Sequence, residues 1–153
     1  MPRSRAGASR RARPAGVAAE LFVDASAWYP LLVRSVAQHG AVTAALRRAV
    51  RQGARLVTTN LVVAETHALL LHRTSRETAL AFARGMLEPQ TLVVRSTADL
   101  ERVATVDWLE RYDDQEFSFT DAVSFAVMAE RGIGEALTLD RHFGAAGFRM
   151  VPG

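Results

Sequence analysis

The sequence predicts an α/β fold, a three-layer α/β/α sandwich around a mainly parallel central sheet. Two patterns carry this reading. Short β-prone apolar runs near residues 21–23, 55–58, 91–95, 135–139 and 148–151 alternate with longer segments of helical period. That alternation is what crossover connections between parallel strands produce. The chain also has 153 residues, enough for one domain with a substantial core and too few for two.

Residues 1–19 hold Arg, Ala, Gly, Ser and Pro with little to bury, and are expected to form an unstructured tail before a single domain over 20–153. Leu21-Phe22-Val23 is a strand ending at Asp24, and Pro30 is placed to open a helix at its first turn. Over 42–52, Val42, Leu46, Ala49 and Val50 recur at helical spacing opposite Arg47, Arg48 and Arg51, and Gly53 stops the helix. A strand over 55–58 follows. Thr59 or Asn60 caps a helix over 61–73, with Leu61, Ala64, Ala68, Leu69 and Leu71 as its apolar residues and Glu65 in its middle. Thr74 or Ser75 caps the next helix, through Met86, and Pro89 ends that region before the strand over 91–95.

Thr97 opens a helix to about Arg111, with Leu100, Val103, Ala104 and Leu109 inward, and a polar loop over 112–116 leads on. The stretch after Asp121 runs eight residues without another charge, so its helix should be buried nearly all round until Gly132 and Gly134 end it. The run 135–139 is a buried strand closed by Asp140, residues 140–147 form a short helix or loop, and 148–151 is the last strand. Trp28, Tyr29, Leu31, Leu32 and Val33 are read as core rather than as a contact surface.

Composition excludes several chemistries. Without cysteine there are no disulfides, thiolate metal sites or cysteine nucleophile. Every apolar run is interrupted well short of the roughly 18–20 residues a membrane span needs, so a soluble protein is expected, and the absence of cysteine is compatible with the cytoplasmic location expected of it. All 19 basic residues are Arg, and five of them (Arg3, Arg5, Arg10, Arg11 and Arg13) lie in the tail; the remaining 14 face 16 acids, so the formal +3 belongs to the tail. A basic arm can bind phosphates, but a disordered tail or a misplaced start codon is the commoner explanation of such a composition.

Four acids stand out: Asp24, Glu65, Asp121 and Asp140. Each has an ordinary explanation alone. Asp24 can cap the following helix, Glu65 can sit on a solvated strip, Asp121 can be a first-turn acid behind a Ser118 or Thr120 cap, and Asp140 can be a turn residue. Together they are more informative, because each is bordered by apolar residues and three lie where a strand ends or a helix begins. Such points converge at one edge of a parallel sheet. Carboxylates brought together there repel one another and raise each other's pKa unless a cation is present, and all-oxygen ligation suits Mg²⁺ or Mn²⁺ better than Zn²⁺. Ser26 and Thr138, each two residues from an acid, are placed to orient these carboxylates or their waters.

Leu21-Phe22-Val23-Asp24-Ala25-Ser26, Thr59-Asn60-Leu61-Val62-Val63-Ala64-Glu65, Phe119-Thr120-Asp121-Ala122 and Leu137-Thr138-Leu139-Asp140-Arg141-His142-Phe143, in that order, resemble the signature of PIN-domain ribonucleases, particularly VapC-type toxins of toxin–antitoxin pairs. The resemblance spans about residues 21–151. It implies that Asp24, Glu65, Asp121 and Asp140 hold one or two Mg²⁺ or Mn²⁺ ions and hydrolyse RNA phosphodiesters, with a cognate antitoxin and a second copy of the chain as partners. The Arg-rich tail lies outside the family pattern. His67, His72 and His142 are assigned structural or surface roles, with His142 or Arg141 the candidates for a phosphate contact.

Rival readings fare worse. Gly-x-Ser-x-Gly is absent, which disfavours a serine hydrolase. A haloacid-dehalogenase-like phosphatase needs a second Asp two residues after the first, where this chain has Ser26. A non-catalytic binding module of the same fold would be expected to have lost one of the four acids, and all four are present.

Overall fold

The structure, a computed structural model, describes residues 15–153. The expected tail lies outside the described residues up to position 14, and residues 15–19 are exposed, a turn leading to chain without regular structure. Five strands follow, β1 (Glu20–Val23), β2 (Arg55–Thr59), β3 (Thr91–Val94), β4 (Glu135–Leu137) and β5 (Arg149–Val151), all parallel in one sheet of order β3-β2-β1-β4-β5. The first strand is central. The chain winds outward from it to β2 and β3, then crosses back to β4 and β5. Strand order therefore reverses between β1 and β4, and the crevice at the carboxyl ends of such a pair is where open α/β sheets bind ligands.

The helices are α1 (Ala25–Leu32), α2 (His39–Arg51), α3 (Asn60–Arg73), α4 (Arg76–Gly85), α5 (Ala98–Val103) with a π-helical continuation (Ala104–Glu110), α6 (Phe119–Arg131) and α7 (Arg141–Ala145). α1 packs on α2 and α3, and α3 on α4; on the other side of the crossover, α6 packs on α5, its continuation and α7. Right-handed crossovers running in opposite directions from β1 put these two groups on opposite faces of the sheet, which is the sandwich expected.

The core is built where the two halves meet. Phe22, Val23, Val57, Ala136 and Leu137 are buried in the sheet, and α6 is buried at every position from Asp121 to Ala129. Phe125 anchors an aromatic cluster, with its ring centroid 5.0 Å from Phe117 and Phe143, 5.2 Å from Trp108 and 5.6 Å from Phe148. Each such side chain removed from water contributes about 1.5–3 kcal/mol. Gly132 ends α6 in the left-handed region at φ 69°, which a residue with a Cβ adopts only at a cost.

Four local expectations change. Pro30 does not open its helix: Asp24 caps α1 through Ser26 N–H, and Pro30 falls in the last turn, two residues before the end. In α3 the buried stripe is Val62, Thr66 and Leu70, while Ala64, Ala68 and Leu71 are exposed, because the Thr59 cap sets the helix phase and turns the Glu65 side toward the sheet's carboxyl edge. After Val103 the helix widens to π winding, which brings Trp108 inward onto Tyr112, Phe125 and Phe148; Leu109 is left half-buried. Finally, β4 stops at Leu137, freeing Thr138 and Leu139 for side-chain and backbone contacts beyond the ladder. Of the early apolar run, Trp28 is buried against Phe82, Tyr29, Leu31 and Val33 are half-buried, and Leu32 is exposed.

Candidate metal centre

The four acids line one cleft of ≈ 480 Å³, together with Ala25, Ser26, Ala68, Leu69 and His72. Each reaches it for a local reason. Asp24 follows β1, its backbone N–H donating to Leu137 O at 3.1 Å as if the ladder ran on, and its side chain caps α1. Asp140 follows β4 and caps α7 through His142 N–H at 2.9 Å. Asp121 is the third residue of α6 in a reciprocal capping box: Ser118 Oγ accepts from Asp121 N–H, and Asp121 Oδ2 accepts from Ser118 N–H at 3.1 Å. Glu65 comes from the second turn of α3, with Ala68, Leu69 and His72 following at i+3, i+4 and i+7 on the same face.

The hydroxyls of Ser26 and Thr138 tie the two strand ends together. Ser26 Oγ lies 2.7 Å and Thr138 Oγ1 3.2 Å from Asp24 Oδ2, and the two hydroxyls are 3.1 Å apart. Each hydroxyl has one proton. Ser26 donates its proton to Asp24 over the shorter contact and accepts Leu139 N–H at 2.9 Å; Thr138 donates to Asp24 or Ser26 and accepts Asp140 N–H at 3.0 Å. A single network thus sets the positions of Asp24 and Asp140 relative to each other.

Burial and neighbouring charge act together on three of these carboxyls. Burial pushes the Asp24 carboxyl up, with Asp140 adding to the rise, although its bonds from Ser26 and from the Ala25 backbone oppose it. Asp121 is raised by burial and then by the charges of Asp140 and Asp24, against the Ser118 bonds. Glu65 is raised by partial withdrawal from water and by Asp24, Asp121 and Asp140. Glu65 is nevertheless an exposed residue, so its shift is the most open to screening by solvent.

One neighbour was not foreseen as part of the cluster. His142 Nδ1 lies 3.3 Å from both Asp121 Oδ2 and Asp140 Oδ1, and its ring meets Phe117 edge-on at a centroid distance of 5.5 Å. One ligand atom from each of Asp121, Asp140 and His142 falls within 4.8 Å of the others, the one such grouping among the described residues, and it includes neither Asp24 nor Glu65. Its signal in the sequence is the placement two residues after Asp140, which the α7 cap folds back toward the acid. Carboxylate oxygens are donors that suit Mg²⁺ or Mn²⁺, and carboxyls raised by burial and then by one another's charge are what a divalent ion relieves. The residues present fit such an ion. Of the other three histidines, His72 lines the cleft beside the acids, whereas His39 and His67 line no part of it.

Comparison with known proteins gives the family and the fold. The family profile described as PIN domain matches residues 21–149. The 23S rRNA-specific endonuclease VapC20 of Mycobacterium tuberculosis is 41% identical over 131 residues, spanning 86% of this chain and 97% of that protein. The crystal structure of VapC20, described as a sarcin–ricin loop cleaving toxin, superposes with a TM-score of 0.75 at 40% identity, covering 84% of this chain and 95% of that one. VapBC2 from Rickettsia felis, solved with a promoter DNA fragment, shares the fold at a TM-score of 0.65 and 8% identity, over 86% of this chain and 96% of that one. With the acids at the sheet's switch point and the profile running from β1 to β5, the chain belongs to the PIN-domain family.

Proposed function

We propose that this protein is a Mg²⁺- or Mn²⁺-dependent endoribonuclease, the toxin of a VapBC-type pair, and that Asp24, Glu65, Asp121 and Asp140 form its metal-holding catalytic centre. The observation that carries this reading is the convergence of all four acids on one cleft at the point where strand order reverses. A hard divalent ion held there supplies charge stabilisation at a phosphoryl oxygen and a more acidic water. The chain's own residues supply the frame. Asp24 and Asp140 are fixed through Ser26 and Thr138, Asp121 is locked by its capping box, and Glu65 is carried on a helix. Ala25, Ala68 and Leu69 are the apolar members of the cleft's lining.

VapC20 supports RNA as substrate and makes a structured ribosomal RNA loop the first to try. A cognate antitoxin, a second copy of the chain and a cytoplasmic location complete the proposal; no helix among the described residues is long and apolar enough to cross a membrane. The test incubates the purified protein with 23S rRNA in Mn²⁺, in Mg²⁺ and in chelator, beside Asp121→Asn. Discrete cleavage that needs metal and is lost in the variant is expected. Equal cleavage in chelator, or by the variant, refutes the assignment.

A further inference from the structure

A second cleft, of ≈ 580 Å³, opens on the far side of His142 and is lined by Asp114, Gln115, Glu116, Arg141, His142 and Ala145. Its position follows from one short stretch of chain. Asp140 lines the acid cleft and the next residue, Arg141, lines the second, while His142 touches Asp121 and Asp140 with Nδ1 and forms part of the second cleft's wall. The two spaces are a single side chain apart, and the second falls within the roughly 300–1,000 Å³ of pockets that enclose small ligands.

Its polar groups are held ready rather than consumed. Arg141 is exposed and, although two acids share its cleft, makes no ion pair or hydrogen bond through its guanidinium among the described residues. The side chains of Gln115 and Glu116 are likewise unpaired, whereas Asp114 has a contact of its own. The loop that carries them is anchored by Gln115 N–H donating to Tyr112 O at 3.0 Å and by Phe117 in the aromatic core. Opposite a cation, this wall offers a carboxylate and an amide oxygen. Guanidinium is the side-chain group best suited to phosphate, and carboxylate and amide oxygens accept from the exocyclic amino groups of adenine, cytosine and guanine; uracil has none.

We propose that this cleft is a nucleotide subsite of the ribonuclease, in which Arg141 grips the phosphate next to the one in the acid cleft and Glu116 and Gln115 select an amino-bearing base. The proposal rests on the ribonuclease reading and gives its site a direction: the substrate strand passes over His142.

The experiment measures binding, so that it does not depend on cleavage. Fluorescence anisotropy of labelled oligo(C) and oligo(U), which differ at the amino-bearing edge of the base, is recorded against Asp121→Asn protein in Mg²⁺ over a range of salt. Oligo(C) is expected to bind about tenfold more tightly than oligo(U), the scale of one base-edge contact, and Glu116→Ala to reduce that difference. Adding Arg141→Ala should weaken both RNAs and lower the slope of log affinity against log salt by about 0.7, one phosphate on a single strand, with Arg141→Lys restoring the slope. Equal binding of the two RNAs, or a salt slope unmoved by Arg141→Ala, overturns the subsite. Failure of wild-type protein to cut any RNA with Mn²⁺ overturns the ribonuclease reading instead, and the binding data separate the two results.

Discussion

Replacing Thr138 by Val removes one oxygen from the centre of the network while keeping the side chain's shape. Thr138 is fully buried, so the methyl that replaces its hydroxyl leaves no cavity. Two interactions go with the oxygen: its O–H, shared between Asp24 Oδ2 and Ser26 Oγ at 3.2 and 3.1 Å, and its acceptance of Asp140 N–H at 3.0 Å. A hydrogen bond to a charged group contributes about 1.5–3 kcal/mol, and an amide left without an acceptor adds to the loss where water does not reach it. Because Asp140 is partly exposed, water can take over that amide, and about 2 kcal/mol is the expected total. For a domain of this size that lowers the melting temperature by roughly 4–8 °C. Asp24 would also lose a positioning partner, and such losses weaken metal binding by about 10–100-fold. Calorimetric titration with Mn²⁺ and a thermal melt check both. A variant that melts with wild type and binds Mn²⁺ equally would show that Thr138 does not hold Asp24 in place.

Other outcomes follow from the same geometry. Asp24, Glu65 and Asp121 have carboxyls raised in the folded protein, which therefore binds more protons than the unfolded chain. Their contribution to stability is full below the ordinary carboxylate range and is lost as pH rises through the folded values; in metal-free protein, the stability gained by Asp121→Asn should grow from acid to neutral pH, and saturating Mn²⁺ should reverse the order of the two melting curves at neutral pH. A gain that is flat with pH would contradict the raised carboxyls. In the core, Phe125→Ala removes the ring on which Phe117, Phe143, Trp108 and Phe148 converge, at a cost of about 3–5 kcal/mol. Denaturant unfolding should show it, and a loss under about 1 kcal/mol would mean the cluster repacks.

Much of this protein can be read from its residue order, and the exceptions have physical causes. The strand–helix alternation and the acids at strand ends carried the sheet and the convergence of the acids on one cleft, because one carboxylate after β1 and another after β4 must meet if the strands are parallel neighbours. The ordinary readings of Asp24 and Asp121 are compatible with their proposed role, and Asp140, expected as a turn residue, is a helix cap as well. Each does serve in a helix cap, and the capping bonds are what hold the carboxylates in place. The buried stripe of α3 was not legible because its apolar residues lie around most of the helix and do not set its phase; the Thr59 cap does, and it sends Val62, Thr66 and Leu70 inward. The π winding that buries Trp108 has no single-residue signal. His142 was undervalued because its approach to Asp121, 21 positions earlier in the chain, depends on how α7 folds back rather than on local spacing.

The central claim, that four acids from four separate segments act as one metal site, is tested most directly by locating the ion. Crystals grown with Mn²⁺ should show its anomalous signal among Asp24, Asp121 and Asp140 with Glu65 facing it, and the signal should be lost in Asp121→Asn. Manganese bound elsewhere, or bound at this cleft with unchanged occupancy in the variant, would contradict the account.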